Sequence, residues 1–378
     1  MQVAIMYDGF LDLTGTKWQI GGVETYLWHL ARVCTDLGWG VTAYQTAASP
    51  FTTSIDQVRV VGVPPVSRHP QIRARRLYNY VRRHVSDGAL LIFGSDHCSV
   101  RTDYPKAIAI QHGVTWDLAA EYLTLQPLLK HGAGAALLKV YLRTRAKRCF
   151  ENCANRVCVD YNFLNWYRTV TSDPPKGRIW VITNFAILPK EDPVLPKTGE
   201  IVRVLFARRF VEYRGTRLIA SAAHVLLKKY AAIRFTFAGE GPDEHWLRDQ
   251  FSTEMRVQFT VYHPLDAVSV HAQHDIAVVP SLASEGTTFA VAEAMAAGCA
   301  VVASHVGGVT NMIIHNYNGL LIAPNASALT EALEDLITDP EKRTSLATAA
   351  CRTAKAAFSY DRWYRSWRDV LQQVAANE

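Results

Sequence analysis

The sequence predicts an α/β protein built from two doubly wound, Rossmann-like domains that face a central cleft, and three observations predict it. A chain of 378 residues exceeds what one hydrophobic core ordinarily serves. Short apolar runs alternate with stretches of helical periodicity, the pattern of strands and crossover helices in a parallel sheet. The alternation pauses in segment 181–200, which holds Pro189, Pro193 and Pro196 among mixed charges, and then starts again, as it would on either side of a linker.

Taken in order, "QVAIMYD" (2–8) reads as the first strand. A helix over 21–38 follows it, with Val23, Leu27, Leu30 and Leu37 recurring at helical spacing. "WGVTAYQ" (39–45), "ALLIFGS" (89–95), "AIAIQHG" (107–113) and "RVCVDYN" (156–162) read as further strands. Two basic helices, 73–85 and 139–150, precede short strands, and Leu77, Val81 and Val85 share one face of the first. In the second half the strands are "IVRVLFAR" (201–208), "IRFTFAGEG" (233–241), "VQFTVYH" (257–263), "DIAVVPS" (275–281) and "CAVVASHVGG" (299–308). A helix begins near Thr287 and ends at Gly298, a residue suited to a left-handed cap. The aromatic and basic segment 359–378 reads as a last helix, in which Trp363 and Trp367 are packing residues.

Composition narrows the classes of function. With 49% hydrophobic and 20% charged residues the chain is of ordinary globular type. No run of eighteen uncharged apolar residues and no leader pattern stand in it, so a cytoplasmic protein is expected. The seven cysteines are scattered; Cys149 and Cys153, one turn apart, are expected to be reduced thiols on one helix face rather than metal ligands. Residues 1–195 carry 22 Lys and Arg against 15 Asp and Glu, while 196–378 carry 18 against 19. The basic excess of the first half is either a solvated face or a surface for anionic lipid headgroups or an anionic acceptor, at the cytoplasmic face of an inner membrane. No aromatic-interleaved basic motif points to nucleic acid.

The chemistry is concentrated in "SEGTTFAVAEAMAAG" (284–298). Amides of Thr287, Thr288 and Phe289 at a helix start favour an anion. Glu285 precedes that start, and Glu293 lies in the second turn with its side chain leaning back toward it. Acids beside a phosphate site commonly serve hydroxyl groups, and a sugar nucleotide offers both.

This pair of glutamates resembles the signature of retaining glycosyltransferases of the GT-B fold, in particular family four (glycosyl transferases group 1). Supporting segments follow in order: "GGVETYLWHLARVCTDLGWGV" from Gly21, "QHG" at 111–113, "ARRFVEYRG" at 207–215, "FAGEGP" at 237–242 and "GGVTNMIIHNYNGLLI" at 307–322. The resemblance implies an acceptor-binding domain over 1–190, a donor-binding domain over 196–358, and a helix 359–378 that packs back on the first. It implies that Glu285 lies near the donor sugar and Glu293 holds the ribose. Arg209 and Arg214 would clamp the diphosphate, with neighbouring Arg208 leaving the register open, and Gly286, Thr287, Thr288 and Phe289 would add their amides. Gly21 and Gly22 would let backbone approach the diphosphate, and Gly239, Gly241, His263 and Pro264 would border the base. His112 would sit by the donor sugar and acceptor, with Asp96, His97, Trp116 and Asp117 in acceptor loops.

The implied reaction is metal-independent transfer of a hexosyl unit, with retention, from a GDP- or UDP-sugar to a hydroxyl of a glycan or lipid-linked acceptor, in bacterial cell-surface polysaccharide or lipopolysaccharide synthesis. A nucleotide-diphosphate sugar is the co-substrate and no cofactor is implied. Departures from the family pattern, Gly286-Thr287-Thr288 for Gly-Phe-Gly, Asn311 in an acidic position and "NFAI" at 184–187, leave the sugar open. A nucleotide-sugar 2-epimerase and a non-catalytic nucleotide-sugar-binding subunit are the alternative readings. A dehydrogenase is disfavoured because the first turn lacks a full GxGxxG.

Overall fold

The protein is described by a computed structural model over residues 1–19, 21–64, 67, 69–123, 126–171, 177–193, 195 and 199–376. Part of the expected linker (194 and 196–198) and the last two residues of the expected final helix lie outside the described residues.

The first sheet contains β1 (Gln2–Met6), β2 (Gly40–Thr46), β3 (Phe51–Ile55), β4 (Val58–Val63), β5 (Leu90–Phe93), β6 (Ala107–Gln111), β7 (Asn155–Cys158) and β8 (Arg178–Val181). Its spatial order is β3-β4-β2-β1-β5-β6-β7-β8, parallel except for the β3–β4 hairpin. The second sheet contains β9 (Val202–Ala207), β10 (Ile233–Ala238), β11 (Val257–Thr260), β12 (Ile276–Val279), β13 (Ala300–Ser304) and β14 (Leu320–Ile322), in the order β11-β10-β9-β12-β13-β14. All of its pairings are parallel. The doubly wound α/β architecture read from the sequence is therefore present twice.

Strands covered on both faces must be apolar at every position, which is why runs such as "LLIF" and "IAVV" carry no alternation. Within β12, Ile276 and Val278 pack with Phe206, Phe237 and Leu226, while Ala277 and Val279 pack with Val291 and Met295 of the helix Phe289–Ala296. That helix is almost wholly enclosed, so its all-round apolar character is a packing requirement. It starts two residues later than expected: Thr288 is its N-cap and Phe289 its first residue, and Gly298 takes the left-handed conformation (φ 71°).

By contacts the chain divides into two compact units. The first is Met1–His112, Ala133–Thr183 and Trp363–Glu378; the second is Gly113–Gly132 and Asn184–Arg362. Segment 113–132 therefore does not travel with the N-terminal block. Its Asp117 Oδ2 accepts from the Ser284 amide at 2.8 Å, and its Tyr122 ring lies 6.2 Å from that of Tyr213. In the first unit the buried Trp367 donates its Nε1–H to the Tyr26 hydroxyl at 2.7 Å. The cysteines are free, but Cys153 lies beyond the end of the helix Gly132–Phe150, so it and Cys149 do not share a helix face. No helix among the described residues is long and apolar enough to cross a membrane.

Candidate functional site

In the second sheet β9 lies between β10 and β12, so the connections that leave β9 and β12 diverge. Such a switch point opens a crevice at the carboxyl ends of the strands. Arg208 immediately follows β9, and Ser281 to Thr288 follow β12. The sequence thus delivers a cation from one strand and an acid-bearing loop from its neighbour to the same place.

Glu285 is the centre of this arrangement. Its Oε2 accepts from Arg208 Nη2 at 2.7 Å and faces Arg214 Nη1 at 2.6 Å, and its Oε1 accepts from the Ser281 hydroxyl. Arg208 Nη1 also donates to Ser281 Oγ at 2.7 Å. The side chains of Arg208 and Glu285 are each 7% exposed and that of Arg214 is 32% exposed. Burial pushes the Glu285 carboxyl up, but the two guanidinium groups outweigh it and hold the group well below the usual carboxylate range. Two cations share one anion, so the cluster retains one positive charge.

Backbone shape brings these groups together. Gly215, at φ 87°, sits where a Cβ would lie 2.0 Å from the Pro280 carbonyl oxygen, which sets the short turn Glu212–Arg214 against the end of β12. On the other side of the loop, a Cβ on Gly308 would lie 2.5 Å from the Gly286 carbonyl carbon and 2.6 Å from the Thr287 nitrogen. The Gly308 amide donates to Glu285 O at 2.7 Å. Asn184 adds two hydrogen bonds, its amide to Thr287 Oγ1 at 2.8 Å and its Nδ2 to the Thr287 carbonyl. The amides of Gly286 and Thr288 have no hydrogen-bond partner among the described residues, and that of Phe289 opens the helix with no acceptor inside it. Donors and cations therefore converge where a negative charge would be stabilised.

Glu293 behaves oppositely to Glu285. Burial pushes its carboxyl up to about 8, offset only in part by Arg208, and no ion pair or hydrogen bond satisfies it among the described residues. Its neighbour Tyr262 is likewise pushed upward, first by burial and then by Glu293. At neutral pH this carboxyl is largely protonated until a partner arrives that prefers its ionised form.

The other sequence candidates are spread more widely. Arg209 is exposed and forms no ion pair among the described residues; the arginine at Glu285 is Arg208. Side chains alternate along an extended chain, so a one-residue shift in reading reverses the face. Gly239 and Gly241 lie against the carbonyls of Arg208 and Phe210. His263 caps the turn Pro264–Asp266, its Nδ1 accepting from the Leu265 amide at 3.3 Å. Trp116 is buried and Asp117 exposed, both in the second unit.

Within the first unit, Gly21 is the N-cap of the helix Gly22–Asp36, and the Glu24 carboxylate lies over it. His112 Nε2–H donates to Gly94 O at 2.8 Å, and its ring meets that of Tyr26 edge-on. Burial outweighs this bond and lowers the imidazole to about 4, so it is neutral and Nδ1 is its acceptor atom. Asp96 is fully buried with both carboxyl oxygens unpartnered, and His97 Nε2 stands 3.8 Å from Oδ1. Ser281 and Tyr262 are site residues that the sequence reading passed over. The apolar run before Ser281 masked it as a strand end, and only the fold brings Tyr262 to Glu293.

Residues 189–353 match the family described as Glycosyl transferases group 1. D-inositol 3-phosphate glycosyltransferase of Pseudarthrobacter chlorophenolicus is 34% identical over 161 residues, covering 40% of this chain and 38% of that protein. Matches to the first curated relatives span 38% to 50% of their lengths. Among solved structures, sucrose-phosphate synthase from Thermosynechococcus elongatus superposes with a TM-score of 0.76 at 18% identity over 99% of both chains. Anabaena HepE, solved in complex with UDP and glucose, gives 0.67 at 16% identity over 99% of this chain and 100% of that one. At these identities the likeness is one of fold, the GT-B arrangement of Rossmann-like domains.

Proposed function

We propose, from the match of residues 189–353 to the group 1 glycosyltransferase family and the likeness to the GT-B fold, that the chain transfers a sugar from a nucleoside-diphosphate sugar to an acceptor hydroxyl with retention at the anomeric carbon. The observation that carries the reading is the cluster of Arg208, Glu285 and Arg214 against the open amides of Gly286, Thr288 and Phe289. Its surplus positive charge suits a diphosphate, and the charge that develops on the leaving group would strengthen the interaction in the transition state. Glu293, eight positions on and unpaired, suits a ribose diol, which donates to a carboxylate in preference to a neutral acid.

In this reading Glu285 is a positioning residue. Both of its oxygens are occupied, Oε2 by two guanidinium groups and Oε1 by Ser281, so it is a weak nucleophile. That favours a route in which the leaving phosphate takes the proton of the acceptor hydroxyl as that oxygen attacks the same face of the sugar. The cations come from the chain itself, which supports a transfer independent of metal. The first unit takes the acceptor, with neutral His112 offering Nδ1 to one of its hydroxyls. A glycan or lipid-linked acceptor on the cytoplasmic side of a membrane, in surface polysaccharide assembly, fits the basic surplus of residues 1–195.

The test is a panel of UDP- and GDP-sugars offered to the purified chain, with and without EDTA. One donor is expected to bind and to be slowly hydrolysed with EDTA present, and the released or transferred sugar should keep its anomeric configuration by NMR. Failure to bind any donor, or unchanged donor affinity in Glu293→Ala, would sink the reading. Epimerised donor in the absence of acceptor would replace it with an epimerase.

A further inference from the structure

We propose that the first unit contains a pocket for a phosphoryl group, so that the substrate taken there is a phosphate ester; this rests on the assignment of the acceptor to the first unit. The pocket is a cavity of about 300 Å³ between the helix Gly132–Phe150 and the turn Asp96–Cys98, separate from the arginines around Glu285. His97, Arg101, Arg145 and Arg148 line it together with the neutral donors Thr144 and Asn152, and no acidic side chain does.

Of the three arginines, Arg145 meets the Cys149 thiol and, at longer range, Asp96. None of them forms an ion pair among the described residues, and Arg145 Nε is buried with no hydrogen-bond partner. The buried Arg145 Nε is costly to leave unmade, and a forked guanidinium matches phosphate oxygens in two-point geometry. Asp96, whose carboxyl burial pushes up against the opposing pull of His97 and Arg145, does not line the cavity.

The place of the pocket ties it to the acceptor. The turn Asp96–Cys98 begins two residues after Gly94, whose carbonyl holds the His112 imidazole, and His97 is close enough to help lower that imidazole. The arginines lie on the segments that lead into β6 and β7 and His97 follows the carboxyl end of β5, so an ester seated on the arginines would reach His112 past His97. The volume admits a phosphate together with the sugar or alcohol it esterifies, and the ester's remainder lies on the neutral donors.

The experiment uses the full chain with its donor site blocked by a saturating nucleoside diphosphate. Calorimetry with inorganic phosphate and glycerol 1-phosphate, and sedimentation with vesicles of phosphatidic acid or phosphatidylcholine, compare wild type with Arg101→Gln/Arg148→Gln. Both substituted side chains are on the exposed rim, so the variant is expected to fold and to bind the nucleoside diphosphate as wild type does. Saturable wild-type binding of glycerol 1-phosphate, weakened tenfold or more in the variant, supports a soluble phosphate ester. The same loss seen with phosphatidic acid vesicles supports a lipid-borne one. Equal binding by wild type and variant, or no binding of any phosphate by the wild type while the nucleoside diphosphate still binds, overturns the pocket and leaves the donor site standing. Failure of the nucleoside diphosphate itself to bind overturns the donor reading instead.

Discussion

Each unit gathers arginines, but the two gatherings are built differently. In the second unit Arg208 and Arg214 close on Glu285, and all three charges are held by named partners. In the first, Arg101, Arg145 and Arg148 surround a cavity with no ion pair between them and any acid among the described residues. As proposed anion sites, the two would work by different designs. The first fixes the donors before the ligand comes and weakens the field by one charge; the second keeps the whole field and leaves the ligand to order it.

The largest test of that contrast removes the shared acid. Glu285→Gln leaves two guanidinium groups facing each other, and stability by urea denaturation is expected to fall by about 3–5 kcal/mol. Added inorganic pyrophosphate should restore much of the loss by replacing the missing charge. A drop no larger than that of Arg101→Gln/Arg148→Gln, expected within about 0.5 kcal/mol, would erase the distinction between the two gatherings.

Next in size is the loop that presents the preorganised donors. Gly308→Ala drives a methyl into the Gly286–Thr287 peptide and is expected to cost about 1–3 kcal/mol, with donor affinity reduced tenfold or more. Unchanged nucleotide titration would show that the loop's shape is incidental.

A third test concerns the acid that has no cation. With Glu293 raised to about 8 in the folded chain, the folded state holds a proton that the unfolded chain has already released above the ordinary carboxylate range. Wild-type stability should therefore decline from about pH 5 toward pH 8, and Glu293→Gln should remove that part of the decline. Donor affinity should rise with pH up to about 8, by at most tenfold (about 1.4 kcal/mol) per unit, because a ribose diol selects the carboxylate. Calorimetry at pH 7 in two buffers of different ionisation enthalpy should register the released proton. The smallest effect belongs to Arg209→Gln, which should alter donor affinity less than threefold while Arg208→Gln abolishes measurable binding; comparable losses in both would restore Arg209 to the site.

The same elements show how far the residues alone could be read. β5 and β12 announce themselves as the unbroken apolar runs that doubly covered parallel strands need, whereas β2, β9, β10 and the edge strand β11 include polar positions and show through their alternation with helices. β3 pairs at an edge and its "FTTSI" is half polar, and β14 is three residues long inside a loop motif; neither has the length to show a period. Glu285, Glu293 and Arg214 were legible as a pattern along the chain. Arg208 was not, since the choice between it and Arg209 depends on which face of the extended backbone meets the loop after β12. Asp117 looked like part of the N-terminal block, and only its bond to the Ser284 amide reveals which unit it serves. Contacts made across large sequence separations leave no local trace, and Tyr262, Ser281 and the arginine-lined cavity all belong to that class.

The helix Tyr360–Ala375 gives the first unit a late-arriving part. From Trp363 onward it contributes Trp363, Trp367, Val370, Leu371 and Val374 to a buried surface, and Trp367 supplies the partner of the buried Tyr26 hydroxyl. During synthesis, residues 1–183 emerge long before these side chains exist, whereas most of the second unit is contiguous from Asn184 to Arg362. The part of the protein made first is thus the last able to close its core, and a nascent chain halted before Trp363 would be expected to hold a finished second unit beside a first one that chaperones still recognise.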